Sequence, residues 1–342
     1  MKDRRPPTSD AGAVAEGGGE ADELVDLTEA LTVRSKRTER RRKKLDKKAQ
    51  QKSNFNPRGL YDLPYEIWMA ILTVCLPRDI FTLRLVSKPL RQLILDNEEH
   101  IAKNVMALRY STLAQCLQRP VLARDLDTTA HDALQSPLRE QMLLFKKKPF
   151  HHIQMPDTAV VCTCLTCLAR WQSLCVAVDF AHWQKNLDIG EPIPMIPRGQ
   201  DPKWNQKLTT KHTEVVLKSL SSPLWHARIL AAHLDSTVRS VRRHGENKGN
   251  KRRRFRMTEE DVRAGTDAFL ERSGPPTVSI PAHRDEYYML EAFLPGRSWI
   301  KDHNEWWYLP PAGHDTDIRL LCRWVANQEA ILHQPASTPA SS

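Results

Sequence analysis

Four cysteines that lie close together in the chain are the residues whose type and spacing could do chemistry. They lie in the segment VVCTCLTCLARWQSLC and are Cys162, Cys164, Cys167 and Cys175. Four thiolates can complete a closed tetrahedral zinc site. Structural zinc usually takes paired ligands from two separate knuckles, however, whereas Cys164 and Cys175 share one stripe of a predicted helix with Trp171. Because free cysteine is a common small core residue, the pattern favours buried packing over metal binding.

Histidines and known catalytic motifs give no support for an enzyme. No motif ties a particular histidine to any of these thiols, so a catalytic cysteine is a weaker interpretation than packing or zinc. His151, His152 and His182 have no partnered acid at a telling spacing. The sequence has no Gly-x-Gly-x-x-Gly, no phosphate loop ending in Gly-Lys-Ser/Thr, no His-Glu-x-x-His and no Gly-x-Ser-x-Gly. We therefore expect a non-catalytic protein with no cofactor and no metal.

The composition limits the class of protein. With 342 residues, 40% of them hydrophobic, the chain has room for about two domains with real cores. No apolar run approaches the roughly eighteen residues of a membrane span, and the start MKDRRPP lacks an apolar signal region. We expect a protein that is neither secreted nor membrane-spanning. Seven cysteines without a regular framework indicate free thiols in a reducing compartment, which is the cytosol or the nucleus.

The net charge of +10 is concentrated in two runs. From Arg34 to Lys48 ten basic residues stand against two acids, and from Arg239 to Arg256 nine stand against one, so each run carries +8 and the remainder carries −6. A mildly acidic remainder disfavours a broad nucleic-acid-binding face. The first run suits the acidic groove of a nuclear import receptor, through Lys36, Arg37, Arg41, Arg42, Lys43 and Lys44. A phosphate-binding arm and a solvated charged helix are the competing interpretations.

Residues 60–94 have the pattern of three short amphipathic helices. Pro64 suits the first helical position, because its missing N–H would be unpaired there in any case. Pro77 ends this first helix, and Asp79 can cap the second. Ser87 and Pro89 begin the third helix. We expect the apolar faces of all three to be buried; they consist of Ile67, Ile71, Val74 and Cys75, then Ile80 and Leu83, then Leu90, Leu93 and Ile94.

The order of residues in this stretch resembles the F-box. The matching parts are Leu63-Pro64-x-Glu66-Ile67, Ile71-Leu72, Pro77-x-Asp79-Ile80 and Val86-Ser87-Lys88-x-Leu90-Arg91. They keep the family spacing across the module, although Cys75 replaces the usual Leu and Leu90 replaces a frequent Trp or Phe. The competing interpretation is a helix-turn-helix of an ordinary all-helical domain.

The resemblance implies a function. F-box proteins dock through this module onto the Skp-type adaptor of a cullin-based (SCF) ubiquitin ligase, and they deliver substrates with other parts of the chain. On this basis the residues that hold or present the adaptor-facing surface are Leu63, Pro64, Ile67, Ile71, Ile80 and Leu83. The segment Asp179-Phe180-Ala181-His182-Trp183-Gln184 and the Gly-Glu-Pro-Ile-Pro loop that follows are also similar to segments of F-box proteins of filamentous fungi.

The whole chain is predicted to be mainly α, with an N-terminal three-helix F-box followed by a larger helical domain. Residues 1–54 read as a disordered basic tail, 55–110 as the F-box and a following helix, and 334–342 as a second disordered tail. Residues 111–333 form the substrate-binding or interaction domain. Within it we expect an exposed basic loop at 242–256 and an aromatic-rich C-terminal part in which short strands or a packed irregular lid would fit.

A contact with SUMO is one partner assignment that the sequence leaves open. Residues 24–28, Leu-Val-Asp-Leu-Thr with acidic neighbours, resemble a SUMO-interacting motif, although a chance apolar patch is the favoured interpretation.

The chain as a whole is expected to be a substrate receptor in the nucleus or cytoplasm, with the nucleus favoured. The alternatives are a nuclear nucleic-acid- or protein-binding protein that uses its basic runs, and an F-box protein that works outside a ligase. The substrate is not identifiable from the sequence.

Overall fold

α-Helices dominate the part of the chain that the structure describes, which comprises residues 36–53, 62–139, 150–197, 199–250, 253–275 and 279–332 of a computed structural model. The prediction of a mainly α protein is confirmed. The chain divides into two units, residues 1–63 and residues 64–342. Among the described helices, none combines the length and the apolar character that a membrane crossing requires.

The first unit contains one described helix, α1 (Lys36–Ser53). The sequence predicts a disordered tail here, with a solvated charged helix as one alternative for the basic run, and the structure has a helix. Lys, Arg, Glu and Gln are good helix formers, and Glu39 and Lys43 form an ion pair of 3.7 Å one turn apart. These propensities do not require an apolar face, which explains the difference. The SUMO-motif residues 24–28 lie outside the described residues.

Three short helices open the second unit close to the places that the sequence predicts. They are α2 (Tyr65–Val74), α3 (Pro77–Val86) and α4 (Lys88–Asp96). Pro64 precedes the first helical residue of α2, however, and Pro77 begins α3 instead of ending α2. Ser87 caps α4, and its Oγ accepts the Leu90 N–H at 3.4 Å. Asp79 is not a cap: it lies in the first turn of α3, because Pro77 already occupies the first helical position.

The remaining helices follow in chain order. They are α5 (Glu98–Arg109), α6 (Ser111–Cys116), α7 (Thr128–Gln135), α8 (Leu165–His182), α9 (Gln184–Ile189), α10 (Lys203–Ser221), α11 (Pro223–Glu246), α12 (Glu259–Ala264), α13 (Phe269–Arg272) and α14 (Gly313–Leu332). Helices α8, α10 and α11 pack on one another, and α11 also packs on α3 and α5. The predicted boundary near residue 111 therefore does not separate two bodies.

A buried carboxylate ties α8 to the C-terminal part of the chain. Asp179 is fully buried and accepts hydrogen bonds from Arg284 at 2.8 and 2.9 Å and from the Tyr287 hydroxyl at 2.7 Å. Burial alone would raise the pKa of Asp179, but the adjacent His212 and Arg284 more than offset it, and the pKa lies below its ordinary value. The carboxylate therefore stays charged and paired at neutral pH.

The aromatic C-terminal part contributes both core and a hairpin. Tyr287 and Phe293 are fully buried in the main core. Strands β1 (Arg297–Ile300) and β2 (Glu305–Tyr308) pair antiparallel, with Trp299 opposite Trp306. The short strands that suit this composition are thus present.

The predicted basic loop at 242–256 is wrong in its first part. Helix α11 runs on to Glu246, and Arg242 forms an ion pair of 2.8 Å with Glu259. Phe255 is buried in the main core. Charged residues with good helix propensity can extend a helix without apolar periodicity, so the end of the apolar pattern is not the end of the helix.

Candidate functional site

Large apolar side chains are exposed on the surface of helices α2, α3 and α4, among the residues that the structure describes. Leu85 is 86% exposed, Val74 57% and Ile67 46%. The exposed large apolar side chains of this surface are Tyr65, Ile67, Val74, Leu85, Val86 and Leu95. We call these six residues the apolar surface.

The exposed side of α2 is the side that the sequence predicts to be buried. Its buried residues are instead Trp68, Met69 and Leu72, and α2 packs on α5. The helix YEIWMAILTV is apolar on almost all sides, so spacing alone cannot select the inward face. Contact with α5 makes that selection, and it leaves Ile67 and Val74 outside.

The six residues assigned to adaptor binding separate into three groups. Pro64 and Ile67 are exposed, so they are available to a partner. Ile80 is fully buried in the main core, and a role in direct contact is excluded. The half-buried residues are Leu63, Ile71 and Leu83.

Contacts with the body position these helices. Arg109 on α5 donates to the Val74 carbonyl at 2.6 Å and to the Ala264 carbonyl at 3.2 Å, which joins α2 to α12. The Phe81 ring on α3 lies 5.0 Å from the Trp225 ring on α11. Aromatic pairs at this separation add stability beyond the area that they bury. The apolar surface is therefore carried on a supported set of helices.

The second candidate site is a cluster of thiols and one imidazole. The metal-binding atoms of four buried residues all lie within 4.8 Å of one another: Cys162, Cys164, Cys167 and His314. We call them the thiol-imidazole cluster. The His314 Nδ1 atom lies 3.7 Å from the Cys162 sulfur, 3.5 Å from the Cys164 sulfur and 3.3 Å from the Cys167 sulfur.

The local fold brings these groups together from separate segments. Cys162 follows Val161, which forms an isolated bridge to Leu122. Cys164 caps α8, and its sulfur accepts the Cys167 N–H at 3.4 Å. His314 is the second residue of α14.

The start of α14 lies tightly against the start of α8. A Cβ at Gly313 would stand 3.2 Å from the Thr166 hydroxyl oxygen, so glycine permits this close approach. Asp317 accepts the Thr166 N–H at 2.6 Å. These contacts fix the position of the His314 backbone relative to the cysteines.

Hydrogen bonds among the sulfurs separate their pKa values. Contacts with Cys162 and Cys164 lower the pKa of Cys167 below its ordinary value. Contacts with Cys164 and Cys167 raise the pKa of Cys162 above its ordinary value. The three sulfurs therefore interact directly with one another, and Cys167 is the one whose thiolate form these contacts favour.

Sequence reasoning placed the wrong fourth residue with the three cysteines. Cys175 is buried in the main core, where burial raises the pKa of its thiol. Helix α8 begins at Leu165, so Cys162 and Cys164 precede it and do not share its stripe with Cys175. His314 was missed, because it lies 147 residues beyond Cys167 and no local motif connects the two. None of the seven cysteines forms a disulfide in the structure.

The basic residues assigned to nuclear import lie on α1. Lys36, Arg37, Arg41, Arg42, Lys43 and Lys44 are all exposed. Their exposure is compatible with an import signal and equally with a solvated helix, so nuclear import stays a prediction.

Comparisons with protein-family models, with curated proteins and with solved structures find no match to this chain.

Proposed function

We propose that this chain is a non-catalytic F-box substrate receptor, which binds a Skp-type adaptor through α2–α4 and recruits a protein substrate to a cullin-based ubiquitin ligase. The observation that carries the proposal is the apolar surface, which lies on the helices whose sequence has the F-box spacing. Helix starts at Tyr65, Pro77 and Lys88 agree with the three-helix pattern that the resemblance implies.

The arrangement on α2 suits a protein partner. Ile67, Ile71 and Val74 follow one another at helical spacing and form one stripe, in which Ile67 and Val74 are exposed and Ile71 is half-buried. A single exposed apolar residue is normal, whereas several on neighbouring turns of one helix offer a face that a protein partner can cover. A partner that covered this stripe would remove it from water and gain about 25 cal/mol for each Å² of apolar area.

The rest of the chain would select the substrate. Residues beyond about 120 belong to the same unit as α2–α4, and α11 packs on both α3 and α8. A substrate held on this body would stay close to the conjugating enzyme, which raises the effective concentration of the reacting groups. No residue of this chain need take part in the ubiquitin transfer itself.

A binding assay with a Skp-type adaptor tests the proposal. The double variant Ile67→Glu, Val74→Lys places a negative charge near the N-terminus of α2 and a positive charge at its C-terminus. Each charge has the sign that the helix dipole favours at that end, so the helix itself should not be destabilised. Wild type should bind the adaptor, and the variant should lose at least about tenfold in affinity, or about 1.4 kcal/mol. Circular dichroism should show equal helix content.

Ile189→Lys on α9 is the matched control, because Ile189 is also an exposed apolar residue in the last turn of a helix. It should bind the adaptor as wild type does. A folded wild-type chain that fails to bind, or a double variant that binds equally well, would refute the proposal. Adding the cullin scaffold to the assay separates a ligase subunit from an F-box protein that works outside a ligase.

The alternative function is nucleic-acid binding through the two basic runs. Two basic residues of the second run, residues 239–256, already have partners within the chain. Arg242 pairs with Glu259, and Arg243 donates to the Tyr287 carbonyl at 3.5 Å. This pairing makes the alternative the weaker candidate. A steep fall of DNA affinity with salt that disappears on neutralising Arg41, Arg42, Lys43 and Lys44 would support it.

A further inference from the structure

We propose that the thiol-imidazole cluster binds one zinc ion in a closed, structural site. The ligands are three cysteine sulfurs, from Cys162, Cys164 and Cys167, and the Nδ1 atom of His314. Three sulfurs and one imidazole nitrogen are a common donor set for tetrahedral zinc. Four protein ligands leave no position for a substrate or a reactive water, so the site would stabilise the fold and not catalyse a reaction.

The distances agree with tetrahedral coordination. With a Zn–S distance of about 2.3 Å and a Zn–N distance of about 2.0–2.1 Å, a sulfur and a nitrogen ligand stand about 3.5 Å apart. In the structure the three separations from His314 Nδ1 are 3.7, 3.5 and 3.3 Å. The three sulfur–nitrogen separations therefore fit a tetrahedral zinc site, and all four ligand atoms lie within 4.8 Å of one another.

Each sulfur also accepts one backbone N–H. The Cys164 N–H donates to the Cys162 sulfur at 3.5 Å, the Cys167 N–H to the Cys164 sulfur at 3.4 Å, and the Val121 N–H to the Cys167 sulfur at 3.4 Å. A thiol sulfur is only a weak acceptor, whereas a metal-bound thiolate is stabilised by such donors. This arrangement is the outer shell that a thiolate site needs.

The surroundings balance the charge of the proposed site. Zn²⁺ with three thiolates and a neutral imidazole carries −1, which is costly to bury alone. Arg139 and Arg170 are both buried and interact electrostatically with these cysteines. Arg139 also donates to the Thr163 carbonyl, between two of the proposed ligands.

The position of the cluster shows what zinc would stabilise. It belongs to a small apolar cluster separate from the main core, whose buried members are Leu134, Cys162, Cys164 and Cys167. Of the described side chains of α14, only His314 and Val325 are buried. Ile318 and Leu321 of α14 are partly buried against the same small cluster. A metal ligand at the start of α14 would add a bond between this helix and the segment that begins α8.

Metal analysis of the full-length chain tests the inference. Wild-type protein, purified with a reductant and freed of loosely bound metal by gel filtration, should contain about one zinc ion per chain. Cys164→Ser and His314→Gln should each retain about a tenth of that or less, because a closed site depends on all its ligands. Cys322→Ser is the matched control, since Cys322 is a free thiol on the same helix as His314 and lies outside the cluster; it should keep the full zinc content.

A second measurement does not depend on whether the variants fold. Cobalt added to wild-type chain stripped of zinc should give the intense visible bands of tetrahedral cobalt and thiolate-to-cobalt charge transfer. A strong chelator should lower the Tm of wild type. A folded wild-type chain without zinc and without the cobalt spectrum would overturn the inference, and so would folded Cys164→Ser and His314→Gln chains that retain wild-type zinc. The outcome does not depend on adaptor binding.

Discussion

Ile67 and Ile80 have the same side chain, lie in the same F-box-like stretch and stand in opposite environments. Ile80 is fully buried in the main core, whereas Ile67 is about half exposed on α2. Full burial of an isoleucine side chain contributes about 1.5–3 kcal/mol. Ile80 therefore supports the module from within, and Ile67 remains available to a partner.

Truncation of these two residues should separate stability from binding. Ile80→Ala should lower the free energy of unfolding by about 2–5 kcal/mol, because it leaves a cavity. Ile67→Ala should change it by less than about 1 kcal/mol, since about half of the side chain is in water already. Urea unfolding gives both values, and the adaptor assay shows whether Ile67→Ala weakens binding. Equal losses of stability in the two variants would contradict the assigned roles.

The residue-level errors of sequence reasoning have a common physical cause. Periodicity marks an inward face only when the opposite face is polar, and α2 is apolar on almost all sides. In the same way, Cys162 and Cys164 could be recognised as donors, but His314 joins them only through the packing of α14 on α8. Contacts between residues far apart in the chain decide both cases, and no local pattern records them.

At the scale of elements, local chemistry predicted where α4 begins. Ser87 occupies the cap position that the Val86-Ser87-Lys88 segment suggests, and Pro89 follows it within the first turn. Both effects act within one turn, so the sequence is sufficient to find them. Helix α1 and the last turns of α11 are less predictable, because they consist mainly of charged residues and show no apolar periodicity.

Removal of the α4 cap should cost a small, measurable amount of stability. Ser87→Ala deletes the acceptor of the Leu90 N–H and should lower the free energy of unfolding by about 0.5–1 kcal/mol, toward the lower end for caps because the bond is long at 3.4 Å. Ser87→Asp retains an acceptor and should remain close to wild type. Thermal or urea unfolding of the three proteins compares them. If alanine and aspartate cost the same, the hydroxyl is not acting as a cap.

At the scale of the whole molecule, α11 connects the F-box-like helices to the body. It packs on α3 and α5 as well as on α8 and α10. The sequence predicts two domains because the F-box-like stretch resembles a self-contained unit, but long-range packing joins its helices to the rest of residues 64–342. In the proposed function, a substrate bound to the body would therefore have a fixed orientation relative to the adaptor.

Buried histidines should make this unit sensitive to acid. Burial lowers the pKa of His152, His226 and His233 to about 4, from an ordinary 6.5. Below pH 6.5 the unfolded chain takes up protons that the folded chain does not, so stability is lost as the pH falls from about 6.5 toward 4. Each histidine should cost about 2 kcal/mol between pH 7 and pH 5. Asp267 acts in the opposite direction, because burial raises its pKa to about 6, and it offsets about 1 kcal/mol over the same range.

His226→Gln isolates one of these contributions. The ring Nε2 of His226 lies 2.8 Å from the Leu117 carbonyl, and a glutamine amide can donate to the same oxygen without taking up a proton. The variant should be less stable than wild type at pH 7 because the fit is poorer. Its free energy of unfolding should then fall by about 2 kcal/mol less than that of wild type between pH 7 and pH 5. Urea unfolding at pH 7, 6 and 5 measures this difference. Acid effects that are common to both proteins cancel in it, and these include any loss of metal from the thiol-imidazole cluster. Parallel pH profiles would show that His226 is not the proton-linked group that its burial indicates.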